Sequence, residues 1–403
     1  NQRFPLFFPE KRPFFMEGVD LFATPLMTLV HTRTIVDPQY GLKLTGKQNS
    51  LSGAALVARD RSRQDAQFNI FRLNHDIGRE STIGVLYSGL EGVQGEINRV
   101  ASIDGLVRFK SLYTLKFQGA RSFSRDPGAP TDESAAYKAF ITRESKNLGF
   151  EAAWSDFYPD FRAETGFFEQ VDIRRVGTAW WYTFRPVGSP LLSWRPKASY
   201  RKTYDHQNIL IDERSIIELS LQLRLQTSLG FLYQPDTLER FQNIDFRKQA
   251  GQIYFSMEPT THLGFSLSAT MGDQIDYAAS PPSLGRAKTG SASIDIKPAA
   301  PINWSLTYLK SNLENADGQR VFDENIGRSA LLVQWTKELS SKAIYQYATL
   351  NHKGFANILV TYLLVPGTAV HLGYTATLTK NQEDNLMRSR DVVFTKLSYL
   401  FRL

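Results

Sequence analysis

Apolar and polar residues alternate with a period of two along most of this chain. Ile217, Leu219, Leu221, Leu223 and Leu225 stand at strict i+2 spacing against Glu218, Ser220, Gln222 and Arg224. Tyr40, Leu42 and Leu44 alternate with Gly41, Lys43 and Thr45, and Tyr113, Leu115 and Phe117 with Thr114, Lys116 and Gln118. The pattern returns at Leu263–Thr270, Asn303–Tyr308 and Val370–Thr379. Successive side chains of a strand point to opposite faces, so each stretch predicts a strand that is greasy on one side and wet on the other. The stretches recur at about the length of one membrane-crossing strand plus its connection, and no amphipathic helix interrupts them.

Tight turns are predicted at 226–228, 258–261, 298–301 and 365–368, and longer polar loops at 121–134, 236–245, 276–287, 313–325 and 381–389. Short and long connections largely alternate, as they do in outer-membrane barrels. The expected fold is therefore all-β, a transmembrane antiparallel up-and-down barrel of about 22 strands within a range of roughly 18 to 22, with 160–170 an external loop. The last strand, VVFTKLSYLFRL at 392–403, places Leu397, Tyr399, Phe401 and Leu403 on one face. It is predicted to close the barrel by pairing antiparallel with a first strand near Leu26–Ile35, which removes the open edge. A soluble sandwich or propeller would also alternate, but no repeat of blade length is present.

Residues 1–23 break the pattern. Pro5, Pro9 and Pro13 forbid ladder hydrogen bonds, and phenylalanines crowd around Glu10, Lys11 and Arg12. Exposed, these rings would be an aggregation liability. The segment is therefore read as an arm or plug packed inside or under the barrel of residues 24–403, with Phe7, Phe8, Glu10, Lys11, Arg12, Phe14 and Phe15 as its contact residues.

Composition changes this picture little. The mean hydropathy of −0.30 looks soluble, but a barrel hides in such an average because only one face of each strand is apolar. No run approaches the roughly 18 apolar residues of a membrane helix. The chain has no cysteine, which excludes disulfides, thiolate metal sites and cysteine nucleophiles. It starts at Asn1 without a signal region and is read as a mature or trimmed piece.

The net charge of +7 is explained by position. Lys43, Lys47, Lys116, Arg224, Lys396 and Arg402 fall on the polar faces of their strands, which makes them candidate lumen-lining residues and not a nucleic-acid patch. Arg162, Arg174 and Arg175 are candidates for a constriction, or for pairing with acidic neighbours. Adjacent His–Asp pairs, His75–Asp76 and Asp205–His206, point to opposite faces of a strand and make no dyad. No catalytic residue, metal motif or cofactor motif is assigned.

Five stretches together carry a resemblance: RFPLFFPEKRPFFMEG at 3–18, YGLKLTGK at 40–47, NRVASIDGLVRF at 98–109, DFRAETGFFEQVDIRRV at 160–176 and KLSYLFRL at 396–403. They are similar to a family of bacterial outer-membrane barrels catalogued as a domain of unknown function, whose larger members carry a preceding domain like carbohydrate-binding module family 9. The first and fourth are the most specific, since neither follows from being a barrel. The resemblance implies an outer-membrane location in a Gram-negative bacterium and no catalytic residues. It also implies a sugar-binding-like domain joined through Phe4–Gly18.

The expected function is an open or plugged pore for small polar or anionic solutes, carbohydrate-related ones among them. The alternative is a non-conducting anchor or subunit of an outer-membrane assembly. Expected partners are outer-membrane lipid and lipopolysaccharide, the barrel assembly machinery, a periplasmic sugar-binding-like domain and other complex subunits.

Overall fold

The computed structural model describes residues 7, 9–10, 12–365, 368–380 and 386–398. A single helical turn, α1 (Pro13–Met16), and short 3₁₀ turns precede the first strand. The strands are β1 (Pro38–Gln48), β2 (Leu51–Asp60), β3 (Ala66–Ile77), β4 (Ser81–Glu91), β5 (Ile97–Phe109), β6 (Tyr113–Arg125), β7 (Asp132–Glu144), β8 (Leu148–Phe157), β9 (Ile173–Tyr182), β10 (Leu191–Tyr204) and β11 (Leu210–Leu223). After these come β12 (Thr227–Phe241), β13 (Ile244–Thr260), β14 (Leu263–Asp276), β15 (Ser283–Ile296), β16 (Ile302–Glu314), β17 (Arg320–Gln334), β18 (Leu339–Ala348), β19 (Lys353–Val365), β20 (Thr368–Lys380) and β21 (Leu386–Ser398). All 21 strands of the described residues belong to one antiparallel up-and-down sheet, a number within the expected range.

The chain divides into two compact units, the first comprising 1–182, 197–215 and 238–245, the second 183–196, 216–237 and 246–403. In the first unit the pleat sorts residues cleanly. Ser52, Ala54, Leu56, Ala58 and Asp60 of β2 are buried on one face, as are Asn98, Val100, Ser102 and Asp104 of β5. The other face is bare and apolar: Leu42 and Leu44 of β1 are 72% and 74% exposed, with Leu73, Val85 and Ile103 beside them in the following strands. Large apolar side chains facing outward from every strand suit a hydrocarbon environment.

What covers the first face is residues 12–37, together with the connection from β8 to β9. Leu26–Ile35, expected as the first strand, is not one; the first strand begins at Pro38. Local geometry explains the difference. Met27, Leu29 and Ile35 are buried while Thr24 and Thr34 cap turns through their hydroxyls, so the apolar positions anchor a coil and not a ladder. The turn into β1 is fixed by Asp60, whose carboxylate accepts the backbone amides of Val36 at 2.7 Å and Asp37 at 2.9 Å.

In the second unit, polar small residues occupy one face and large apolar ones the other. Ser266 faces Ser293 and Ser268 faces Ser291, with hydroxyls 2.7 and 3.0 Å apart. Leu267, Met271 and Tyr308 project from the opposite face and are exposed. Ser283 follows Asp276 after a short connection, and β17 follows β16 similarly, so the predicted loops at 276–287 and 313–325 are shorter than expected. The predicted loop at 236–245 is strand on both sides of a turn at Gln242 and Asn243, which both have positive φ. The same turn chemistry ends β11. Leu225 and Gln226 have φ of 57° and 49°, and the amide of Thr227 donates to the carbonyl of Arg224, a primed hairpin turn whose twist matches that of the strands.

Candidate functional site

The covered face of the first unit is an apolar and polar dock for two inner segments. Phe15, Phe22 and Ile35 pack against Leu56, Phe68, Ile70 and Leu90. Met27 and Leu29 pack with Leu86, Val100, Phe157, Phe161 and Ile173. Polar groups of the strands complete the fit: Gln118 Oε1 accepts the amide of Met27 at 2.9 Å, and Lys138 Nζ donates to the carbonyl of Leu26 at 3.1 Å. Strand side chains thereby satisfy backbone groups that no ladder could reach.

The second inner segment, residues 158–172, is laid against the first. Thr28 and Phe167 form an isolated antiparallel bridge, and the amide of His31 donates to the carbonyl of Thr165 at 2.7 Å. Thr165 is buried, its hydroxyl within 2.9 Å of both the Leu29 carbonyl and Ser88 Oγ. Asn98 holds the segment from below: Nδ2 donates to the Arg162 carbonyl at 3.0 Å, and Oδ1 accepts the amide of Glu164 at 2.8 Å. A side chain at Gly166 would drive into the carbonyl oxygen of Thr28, so only glycine permits this approach. The stretch expected as an external loop is indeed not a strand, but it returns onto the sheet.

The arm residues make an internal clamp. Arg12 donates from Nη1 to the Ile35 carbonyl at 2.7 Å and from Nη2 to the Thr32 carbonyl at 2.8 Å. Glu10 accepts from Arg12 Nη2 at 2.8 Å and from Thr32 Oγ1 at 2.7 Å. The guanidinium also lies 4.3 Å from the centre of the buried Phe15 ring. Phe7 meets His31 and Phe167 at ring distances of 4.8 and 5.3 Å. Phe14 stays half-exposed against Phe15. Burial pushes the His31 imidazole below its ordinary value, Arg33 adds to this and Glu10 opposes it. Phe8 and Lys11 lie outside the described residues.

Of the expected lining residues, Lys43 donates to the carbonyls of Phe14 and Glu17, and Lys47 pairs with Asp76 at 2.6 Å. Both therefore face the arm side of β1. Lys116 shares its face of β6 with Gln118 and Ala120. Lys396 stands opposite His371 in β21, and Leu397 beside it is exposed. Arg224 is a correction: it sits in the turn after β11, because the primed turn at Leu225 and Gln226 ends the strand before it. Arg402, Tyr399, Phe401 and Leu403 lie outside the described residues.

The structure adds a buried ion pair. Arg72 of β3 and Asp104 of β5 form a two-pronged bridge, one prong Nη2 to Oδ1 at 2.8 Å, with both side chains nearly inaccessible. It passes over Gly84 of β4, where a Cβ would stand 2.6 Å from Arg72 Nη2. A sequence signal for the dock exists. Ala54-Ala55-Leu56-Val57-Ala58 is apolar at every position, which marks a strand whose dock-side face is dry as well as the face that meets lipid.

At the other end of the 158–172 segment, His206 Nε2 lies 2.9 Å from Asp156 and Nδ1 2.8 Å from Asp172. Asp205 and His206 lie in the turn between β10 and β11 and not on a strand, and Asp205 accepts the backbone amides of Gln207 and Ile209 within that turn. Among the described residues no group of His, Asp or Glu is arranged to hold a metal ion.

The fold is that of an outer-membrane β-barrel, and it is similar to solved structures of outer-membrane receptors. The pyoverdine outer-membrane receptor FpvA of Pseudomonas aeruginosa, bound to pyoverdine, matches with a TM-score of 0.54 and 11% identity over 91% of this chain and 77% of its own. The siderophore receptor PirA of the same organism gives 0.51 and 10% over 81% and 71%. A variant of its ferric enterobactin receptor PfeA gives 0.51 and 10% over 89% and 71%. No family model and no curated protein sequence matches the chain.

Proposed function

We propose that this chain is an outer-membrane transport barrel whose residues 12–37 and 158–172 form a plug, and that small polar or anionic solutes pass when the plug yields. The observation that carries this reading is the dock: one face of β2–β8 is built to hold two strandless segments, while the other face is apolar enough to meet lipid. The similarity to structures named as siderophore receptors supports passage of a solute and leaves its chemistry to the residues of this chain. Lys43, Lys116 and Lys396 add positive charge to polar faces, while Lys47 is neutralised by Asp76, and the unpaired charge favours anions. Lipopolysaccharide and the barrel assembly machinery are the partners such a location supplies. The resemblance of the five motifs adds a sugar-binding-like domain ahead of Phe4 and, with it, carbohydrate-related solutes.

Planar-bilayer recording tests the reading. The intact chain should conduct little, and deletion of residues 1–37 should open a channel that prefers anions. Absence of conductance in both forms would sink the pore. The depth of the dock, with Phe15 only 3% exposed and Leu29 only 1%, favours a second reading, a sealed barrel serving as an anchor in a larger assembly. That reading expects stoichiometric partners on purification from the native membrane.

A further inference from the structure

Beyond the edge of the dock, the covered face of the first unit becomes basic. Register pairs Gln118 with Lys138, Lys138 with Ser155, Ser155 with Arg175 and Arg175 with Thr203, a row running from β6 to β10. Arg201 lies two residues before Thr203 and so shares its face, where it holds Asp212 of β11 at 2.9 Å. Arg214 follows Asp212 by two and points the same way. Arg175 lies within electrostatic range of Arg201, Arg214, Asp212 and Glu169, and Lys138 within range of Arg175. Around Arg175, counting itself, four cations thus stand within range of two carboxylates.

Three of these cations are not paired with a carboxylate among the described residues. Asp212 is engaged by Arg201. Among the described residues Lys138, Arg175 and Arg214 form no ion pair. Lys138 donates to the Leu26 carbonyl and Arg175 only from Nε to Thr203 Oγ1 at 3.0 Å. Arg214 Nε is buried with no hydrogen-bond partner among the described residues. Arg174, the residue before Arg175, points to the other face, where its Nη2 donates to the Asp205 carbonyl at 3.1 Å. Partly buried cations held together without counter-charge are unfavourable unless something anionic joins them. The nearby Arg72–Asp104 bridge shows how this sheet neutralises a guanidinium where none is wanted free.

We infer that Lys138, Arg175, Arg201 and Arg214 form a binding site for a compact, multiply charged oxyanion, of phosphate or polycarboxylate chemistry. Guanidinium forks match the paired oxygens of such groups. The site rests on the transport reading for its purpose but not for its existence. Glu169, carried by the 158–172 segment, lies within electrostatic range of Arg175 without pairing with it, so an arriving anion competes with its charge and occupancy of the site screens that attraction between the segment and the sheet.

Inorganic pyrophosphate titrated calorimetrically into the full chain in neutral detergent tests this, since binding there needs no conductance. Arg175→Gln and Arg214→Gln should each weaken binding roughly tenfold or more, as loss of a charge-assisted hydrogen bond implies. Arg214→Lys should restore part of it, and Arg121→Gln, on the bare face, should change nothing. Glu169→Gln should tighten binding severalfold, a gain that misfolding cannot mimic. No heat of binding in the unmodified chain, or equal affinity in the Arg175→Gln/Arg214→Gln double variant, overturns the site whether or not the barrel conducts.

Discussion

The amide of Phe167 donates to the carbonyl of Thr28 at 2.8 Å. This bond joins the two regions of the sequence that the alternation of a barrel does not explain, the Phe-rich N-terminal part and the 160–176 motif. Each looks anomalous alone, and the structure makes them one object, a pair of strandless segments stitched to each other and to the sheet.

The stitch should open when it is overfilled. Gly166→Ala places a methyl group against the Thr28 carbonyl and the Leu29 backbone, which should cost about 1–3 kcal/mol as an overpacked contact. Faster amide exchange at His31, whose donor bond to Thr165 lies next to the strain, is the expected readout. Unchanged exchange there would mean that the two segments are not coupled.

Acid should loosen the same place. The folded protein holds the His31 imidazole below the ordinary value of about 6.5, chiefly through burial. The unfolded chain therefore binds more protons as the pH falls. Stability contributed here is full above the unfolded value and is lost on descending from it towards the folded one. Protease cleavage within 24–37 should rise between pH 7.5 and 5.5 in the unmodified protein and respond less in His31→Gln.

The assignment of faces is testable with two neighbours. Leu267→Arg puts a charge on the apolar face and should cost about 2–4 kcal/mol if near the membrane midplane. Ser268→Arg, on the hydroxyl face opposite Ser291, should cost much less. Urea titration of the chain folded into vesicles measures both, and equal costs would show the faces to be misassigned.

Removing one half of the buried bridge should be worse than removing both. Asp104→Asn leaves the Arg72 guanidinium buried without a counter-charge, a loss of about 3–5 kcal/mol. Arg72→Met combined with Asp104→Leu should recover most of it. A double-mutant cycle on thermal or urea stability gives the coupling directly.

Much of this architecture was legible in the sequence because the pleat writes itself as alternation. Leu263–Thr270 reads as strand from the residues alone, whereas of the described arm phenylalanines only Phe15 and Phe22 are buried and Phe7 and Phe14 stay half-exposed. What misled was local. Leu26–Ile35 has the apolar spacing of a strand, but its neighbours cap turns instead of pairing. The 236–245 stretch looks like a loop because Pro235 and Asp236 open it and Asn243 sits within it, whereas the strands run through to a two-residue turn. The dock was harder still, since a strand covered by coil differs from a lipid-facing one only in having apolar residues at Ala54, Leu56 and Ala58, the positions where serine or lysine would otherwise stand. The unpaired cations at Arg175 and Arg214 depend on four strands meeting in one register, which no single stretch reveals.

The bridge from Arg72 to Asp104 crosses a strand that takes no part in it. For the guanidinium to lie flat, the residue beneath must lack a side chain, and Gly84 is the residue of β4 aligned there, with Thr82 and Leu86 at the next positions on its face. A slide of β4 by two residues would keep every side chain on its proper face, and so would escape the hydrophobic pattern as a check. It would also set Thr82 or Leu86 under the charge pair and pry it apart. The bridge thus disfavours a two-residue slip of β4 that burial alone would accept.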